Sequence, residues 1–415
     1  MKKLLLCTTV ALSGLALAAP ARADGIKLDL AGHFKGYVTW LSQDTVSGVS
    51  ESHLDILRET EIHFTGETTL DNGLTVGVHH EADIDSDNPN YTGSTADMFK
   101  TEESYAYFSG AWGRVNFGKE DGANYLLEVA APSADENFDG LRQYINPVNY
   151  LLTDAVILHN YDGLHPGIPL TSVASQGRGF ANTGKLDYAN DATGYSNKFT
   201  YLTPVFSGFQ AGFSYTPNVG YALQPGGISS GTDGSSAFGV HANDIAGLYG
   251  SAWEGSGRYE GQWQNVGITL GGGYTRVNLE SSADPLRNYD QWNLGADLTM
   301  SAFNLGVVYT QNNGGVDYNG RDRTWVVGGD YTTGPFKLGV SWLNNREALG
   351  EVINGPGLGD SAGDIKTNRY AGGVVYTYGP GMTFRGSIGY VKSQLPEDTG
   401  HIKGTDVLLG TQINF

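Results

Sequence analysis

The sequence is poor in three features, and each shortage excludes a class of protein. Its single cysteine is Cys7, near the N-terminus, so the remaining chain has no residue for a disulfide, a thiolate metal site or a cysteine nucleophile. Beyond the first two dozen residues no stretch approaches the roughly 18 consecutive apolar residues of a membrane-spanning helix. Basic residues are also scarce, 25 against 44 acidic ones, giving a formal charge of −19. This balance argues against a nucleic acid partner.

The first 23 residues are predicted to be a secretory signal peptide. Two lysines precede an apolar run, and the tripeptide A-R-A that ends at Ala23 fits a signal-peptidase site. We therefore expect a mature chain of residues 24–415 that forms one domain. Loss of two lysines and one arginine with the leader takes the formal charge from −19 to −22.

Glycine is abundant, at 60 of 415 residues, about twice its usual share. The mature sequence also alternates: in 26–40 the even positions are apolar or glycine, and the odd positions are mostly polar. This period of two predicts a β-strand, and its length of about 15 residues exceeds the usual five or six. The pattern recurs along the chain and predicts sixteen strands near 26–41, 54–69, 74–83, 102–109, 114–120, 196–203, 209–216, 253–263, 266–277, 289–300, 303–311, 323–332, 336–343, 367–378, 382–392 and 404–415.

The predicted connections alternate between short turns, such as D-N-G at 71–73, and loops of about ten to about 75 residues, as in an up-and-down meander. A soluble sandwich would bury the apolar faces between two sheets. A membrane barrel instead predicts an even strand count, short turns opposite long loops, and aromatic girdles. Aromatic residues do flank the apolar faces, at the short-turn end (Phe209, Phe303, Tyr331, Phe336, Tyr378, Phe384) and toward the long loops (Trp40, Tyr274, Tyr309, Trp342, Tyr390).

The fold predicted from these features is all-β, a sixteen-stranded antiparallel up-and-down transmembrane β-barrel. Charges on the lipid-facing positions test this assignment, since an Arg or Lys at mid-depth costs roughly 2–4 kcal/mol. The apolar faces carry only Arg58 and Arg276, with Arg323 at a strand start, and all three lie toward the long loops. A barrel of sixteen strands leaves an aqueous channel, so we expect it to conduct water and small solutes.

The longest loop, about 121–195, is expected to fold into the lumen and narrow it. A loop of this length is uncommon and usually functional. Four of its acidic residues are the candidates for one side of a constriction: Glu128, Asp135, Glu136 and Asp139. The alternative is a solvated surface loop with an ordinary acidic bias.

Two segments and the final residue resemble one family. Residues 104–125, SYAYFSGAWGRVNFGKEDGANY, are similar to its fourth and fifth strands leading into the constriction loop. Residues 196–217, SNKFTYLTPVFSGFQAGFSYTP, are similar to its sixth and seventh strands, and Phe415 matches its terminal aromatic residue. On these grounds the mature chain resembles a general diffusion porin of Gram-negative outer membranes, of the alphaproteobacterial type. A loop of about 75 residues is long for that family.

The resemblance implies a homotrimer of barrels in the cell outer membrane, in contact with its lipid and lipopolysaccharide. It also implies that the loop carboxylates face basic residues of the opposite wall. The period of two places six basic residues inward: Lys35, Arg114, Lys198, Arg258, Arg369 and Arg385. Of these, Lys35, Arg114 and Arg385 are our candidates. Inward glutamates are also frequent, and they lead us to expect a weak preference for cations: Glu59, Glu61, Glu67, Glu81 and Glu260.

The function implied is passive diffusion of ions and small hydrophilic solutes, not enzymatic catalysis, and no cofactor is expected. A channel selective for a substrate such as a sugar is the second reading. A barrel enzyme would need a credible Ser/His pair, and a secreted adhesin would extract into water without detergent. Phe415 would be read as an assembly signal by the barrel assembly machinery, as in the family.

Asp83, Asp85 and Asp87 have the spacing of a calcium-binding loop. Asn88 replaces the required glycine, and Ser94 stands where the bidentate glutamate should be. The motif is therefore not an EF-hand. A solvated acidic loop is the simpler reading, and a loosely bound divalent cation is the alternative.

Overall fold

The structure is a computed structural model that describes residues 25–45, 50–86, 100–148, 186, 188–194, 196–219, 244, 249–282, 287–315, 321–349, 363–394 and 401–415. The predicted signal peptide and its cleavage site lie outside these residues. So do the middle of the longest loop and Asp87.

The described residues contain sixteen strands, which form a closed barrel in which each strand pairs with its neighbours in the sequence. The predicted fold class is thus confirmed. Most strand ends lie within a few residues of the predicted ones, and the largest extension is at β13, predicted to end at 343 and ending at Leu349. The strands are β1 (Lys27–Gln43), β2 (Leu54–Thr69), β3 (Thr75–Ser86), β4 (Lys100–Gly110), β5 (Gly113–Glu120), β6 (Ser196–Leu202), β7 (Phe209–Thr216), β8 (Tyr249–Trp263), β9 (Val266–Leu279), β10 (Tyr289–Met300), β11 (Phe303–Asn312), β12 (Asp322–Thr333), β13 (Phe336–Leu349), β14 (Gly363–Gly379), β15 (Met382–Gln394) and β16 (His401–Asn414).

Pairing of the first strand with the last closes the barrel. β1 and β16 are antiparallel, with Val38 opposite Leu409. The seam continues past β16, because Phe415 and Gly32 exchange two backbone hydrogen bonds of 2.8 and 3.0 Å. Closure leaves neither strand with unpaired backbone donors and acceptors, which no water could satisfy in the hydrocarbon of a membrane.

The outer face of the barrel is apolar and exposed. Leu28 is 86% exposed and Leu409 66%, and most large apolar side chains of the strands point the same way. A soluble monomer rarely exposes so continuous an apolar band. Aromatic rings meet at both ends of this band, as the predicted girdles require: Phe303 and Tyr331 beside the short turns, Tyr309 and Trp325 toward the long loops. The outer face is therefore suited to lipid.

Two short helices follow β5 in the longest loop, α1 (Ala123–Leu126) and α2 (Glu136–Asp139). Neither is long enough to cross a membrane, and the same holds for the whole described part of the chain.

The inner face is less polar than the alternation predicts. On β11 to β16 several inward positions are apolar and buried, and they form a cluster with Ala131, Leu141, Val148, Leu186 and Tyr188 of the loop. The inward members of the cluster are Leu41, Val308, Val326, Leu343, Val391 and Ile402. The expectation of an entirely polar inner face is wrong here because the loop, rather than water, covers this part of the wall.

Candidate functional site

The described part of the loop lies along the inner wall of the barrel. Val129 packs against β9 and β10, Pro132 against β11 and β12, Ala134 against β13, and Phe138 against β15. At each crossing the wall residue is a glycine, and a Cβ there would come too close to the loop. These wall glycines are Gly271, Gly295, Gly306, Gly328, Gly339 and Gly389. The missing side chains therefore provide the space in which the loop lies.

Asp135 is the most heavily bonded carboxylate of the loop. Its Oδ1 lies 2.7 Å from a guanidinium nitrogen of Arg385 on β15. Ser387 donates a hydrogen bond of 3.1 Å to Oδ2, and the Tyr37 hydroxyl donates to both oxygens at 3.0 and 3.1 Å. Asn137 donates in turn to the Tyr37 oxygen at 3.0 Å. The structure thus brings together Asp135 and Arg385, two residues predicted on opposite sides of the constriction.

Glu136 and Asp139, at the two ends of α2, bind β13. The Lys337 ammonium lies 2.8 Å from Glu136, and Ser341 donates a hydrogen bond of 2.6 Å to Asp139. Burial would raise the pKa of Glu136, but Lys337 and Arg385 outweigh it and hold that pKa below its usual value. Burial raises the pKa of Asp139, against the opposing attraction of the Arg369 guanidinium. Glu136 is therefore the charged, lumen-facing carboxylate of the helix.

Lys35 lies at the edge of the loop. Its ammonium is 2.6 Å from a carboxylate oxygen of Glu59 and 3.3 Å from the centre of the Tyr144 ring. A cation over an aromatic face is attracted to it. Tyr144 is also one of three loop tyrosines with a suggested sugar-stacking role, and here its ring is covered by a cation. The other two, Tyr150 and Tyr161, lie outside the described residues.

Glu128 lies against the returning segment of the loop. Its carboxylate accepts hydrogen bonds from the backbone N–H, at 2.8 Å, and the side-chain amide of Asn190. Its carbonyl accepts one of 2.8 Å from Arg258 of the wall. Burial raises the pKa of Glu128 to about 8, despite the bonds from Asn190. The carboxylate thus joins two loop segments, away from Lys35, Arg114 and Arg385.

The other predicted residues lie apart from these contacts. Arg114 packs its guanidinium 4.0 Å from the centre of the Tyr107 ring and donates to Asn116 at 2.6 Å. Asp83 is buried on β3, opposite Glu61. The Asp85 side chain and Asp87 lie outside what the structure describes, so the suggested cation loop stays a prediction.

Sequence reasoning missed three residues that hold the loop. Lys337 pairs with Glu136, Tyr37 donates to Asp135, and Arg369 donates to the carbonyls of Phe138 and Asp139 at 3.4 and 3.2 Å. The period of two already places Lys337 inward, between the outward Phe336 and Leu338. It could therefore have been found from the sequence, whereas the hydrogen-bonding partners of Tyr37 could not.

The wall of β1 to β4 carries a row of alternating imidazole and carboxylate groups, which we call the His–Glu belt. Its contacts run from His33 to Glu61 (3.6 Å), Glu61 to His63 (3.3 Å), His63 to Glu81 (3.1 Å) and Glu81 to His79 (3.8 Å). Beside His33, Glu59 connects this row to Lys35; beside His79, Glu103 accepts a hydrogen bond of 3.1 Å from the backbone of Asp121. The belt therefore spans the wall between two points where the loop meets it.

Comparison of the sequence with protein families finds one match. The model of the family described as Gram-negative porin matches residues 8–394, most of the chain. No curated protein matches the sequence significantly.

Solved structures with a similar fold include three outer-membrane proteins. An anion-selective porin from Comamonas acidovorans shares 16% identity, with a TM-score of 0.56 over 94% of this chain and 100% of that one. OmpF of Salmonella typhi, in complex with daunomycin, shares 14%, with a TM-score of 0.54 over 94% and 98%. A loop L8 deletion mutant of OmpT from Vibrio cholerae shares 13%, with a TM-score of 0.52 over 94% and 100%. At these identities the likeness concerns the fold alone.

Proposed function

Because the chain belongs to the Gram-negative porin family, whose members are diffusion channels of the outer membrane, we propose that it is a general channel with a weak preference for cations. Ions and small hydrophilic solutes pass through the lumen between the loop and the His–Glu belt. The loop narrows this lumen, and Glu136 and the belt carboxylates set the charge that a passing ion meets.

The charge balance along the lumen carries the proposed preference. Arg385 is neutralised by Asp135, Lys35 by Glu59, and Arg142 by Asp121 at 2.9 Å. The belt and its neighbour Glu103 contribute three further carboxylates, Glu61, Glu81 and Glu103. Facing rows of charge set the ion preference of such pores, so the surplus of acid favours cations. The histidines among these carboxylates keep the preference weak. The anion selectivity of the Comamonas porin does not carry over, since only its fold is shared.

The reversal potential in a salt gradient across a planar bilayer tests this proposal. We expect a potential of the sign that marks cation preference. Glu61→Gln combined with Glu81→Gln should shift it toward anions, because two charges leave the lumen wall. Asp55→Asn is the matched control: its carboxylate is exposed at the start of β2 and is screened within about 3 Å in 1 M salt. A clear anion preference of the unmodified protein would overturn the proposal.

Three further roles are part of the same proposal. The exposed outer face contacts outer-membrane lipid and lipopolysaccharide, and three copies associate as a homotrimer. Phe415 is the signal that the barrel assembly machinery reads. Its ring lies against Gly32, where an added Cβ would be 2.9 Å from it. Phe415→Ala should therefore reduce the amount of folded protein in the outer membrane more than it changes the conductance of each channel.

A further inference from the structure

The His–Glu belt contains the donor set of a transition-metal site. Among the described residues, His63, His79 and Glu81 offer two imidazole nitrogens and a carboxylate oxygen, all within 4.8 Å of one another. Two imidazoles and one carboxylate suit zinc and its first-row neighbours, whereas calcium and magnesium prefer oxygen ligands alone. We propose that these three side chains bind one divalent transition-metal ion, such as Zn²⁺, on the pore wall.

The spacing of the ligand atoms supports the site. Metal–ligand bonds of about 2.0–2.1 Å at tetrahedral angles separate neighbouring ligand atoms by about 3.3–3.5 Å. The Oε2 atom of Glu81 lies 3.1 Å from Nδ1 of His63 and 3.8 Å from Nε2 of His79, on either side of that value. Small rotations of the side chains are enough to bring the atoms around one ion.

Both histidines are also oriented by a second partner. Nδ1 of His79 is 2.9 Å from the Thr65 hydroxyl, so a proton on Nδ1 leaves Nε2 free to face Glu81. Nε2 of His63 is 3.3 Å from a carboxylate oxygen of Glu61, which leaves Nδ1 free in the same way. Metal-bound imidazoles typically donate their other N–H to a carboxylate or a neutral oxygen, and this fixes the tautomer and the ring.

The neighbouring triad of His33, Glu61 and His63 has similar donors but a worse environment. Nε2 of His33 is already 2.9–3.0 Å from both oxygens of Glu59. The Lys35 ammonium lies 2.6 Å from the same carboxylate and repels a second cation. Because both triads use His63, the wall binds one ion, and the geometry favours the triad with His79.

The site is open to the lumen. The side chains of His63, His79 and Glu81 are 24%, 17% and 15% exposed, so an ion in the channel can reach them without opening the barrel. Its fourth ligand is water or Glu103, whose Oε2 is 3.9 Å from Nε2 of His79. A bound dication adds positive charge to the wall and so opposes the passage of cations.

Calorimetric titration of Zn²⁺ into the full-length protein in detergent, after treatment with a chelator, tests the site. We expect one Zn²⁺ per chain and no competition from millimolar Mg²⁺ or Ca²⁺. His79→Gln and His63→Gln should abolish this binding, and Thr65→Val should weaken it about tenfold or more. His80→Gln is the matched control, since His80 is the next residue on β3 and faces outward.

Three results would overturn the assignment. They are the absence of Zn²⁺ binding by the unmodified protein, binding that survives His79→Gln, and loss of binding in His33→Gln but not in His79→Gln. Folding of each variant is checked by circular dichroism, and Thr65→Val keeps every ligand if a histidine variant does not fold. Binding is measured without transport, so this test fails or succeeds independently of the proposed channel function.

Discussion

Arg385 on β15 lies 2.7 Å from Asp135 of the loop, and both side chains are buried, at 8% and 1% exposed. This ion pair joins residues 250 positions apart in the chain. Removing one partner of a buried ion pair typically costs about 3–5 kcal/mol, because the other charge is left without compensation. The pair is therefore expected to be the main polar contact that holds the loop against the wall.

Arg385→Met should loosen the loop without unfolding the barrel. A loss of about 3–5 kcal/mol from local docking corresponds to at least about a hundredfold faster opening. We expect amide hydrogen exchange within 121–148 to accelerate accordingly and the open-channel current to become noisier. Arg323→Met, at an exposed position of β12, is the control. Unchanged exchange in Arg385→Met would mean that the apolar contacts hold the loop by themselves.

Lys337→Met should have a much smaller effect on docking. Its partner Glu136 is 55% exposed, and ion pairs open to solvent typically contribute about 0–1 kcal/mol. Loss of the ammonium leaves Glu136 uncompensated in the lumen, so the reversal potential should move further toward cations. A docking defect as large as that of Arg385→Met, seen by the same hydrogen exchange, would contradict the ranking of the two pairs.

Gly328→Ala should displace the loop toward the centre of the channel. A Cβ at this position would clash with the carbonyl oxygen of Pro132, which is backbone and cannot rotate away. We expect a lower single-channel conductance because the loop moves off the wall into the lumen. The matched control is Gly329→Ala on the opposite face of β12, where the nearest atom to a Cβ is 3.3 Å away. Equal conductance of the two variants would show that the loop does not lie on the glycines.

Protonation of Glu128 should make docking of the loop depend on pH. Burial raises its pKa from 4.5 to about 8, so the docked loop holds a proton that the undocked loop releases. This contribution is complete below pH 4.5 and is lost as the pH rises through about 8. Protection factors of the loop amides should fall over this range and then level off. In Glu128→Gln, which keeps an acceptor for Asn190, that fall should disappear; its persistence would assign the effect to another group.

The barrel could be predicted from the sequence because its period is local. Each strand states its own apolar face, and the turn at 71–73 fixes the register of β2 and β3, which places Thr65 opposite His79. The same turn therefore predicts that His63 and Glu81 lie side by side. The position of His33 beside Glu61 depends on a long loop between β1 and β2, and no turn rule gives that register.

The path of the loop was harder to predict, although the sequence contains a trace of it. Adjacent apolar residues at 307–308, 326–327 and 408–409 break the alternation, and in each pair the second or first residue faces inward under the loop. Wall glycines such as Gly306 and Gly328 mark the same path. Read alone, these features look like ordinary strand variation. Contacts between residues hundreds of positions apart, such as Asp135 with Arg385, require the folded structure.

Solute swelling of liposomes that contain the purified protein tests the central claim most directly. A graded series of uncharged sugars is supplied, and the initial swelling rate is measured for each. A general diffusion channel predicts rates that fall smoothly with solute size, regardless of stereochemistry. Rates no higher than those of protein-free liposomes, or one sugar that permeates far faster than others of its size, would contradict it.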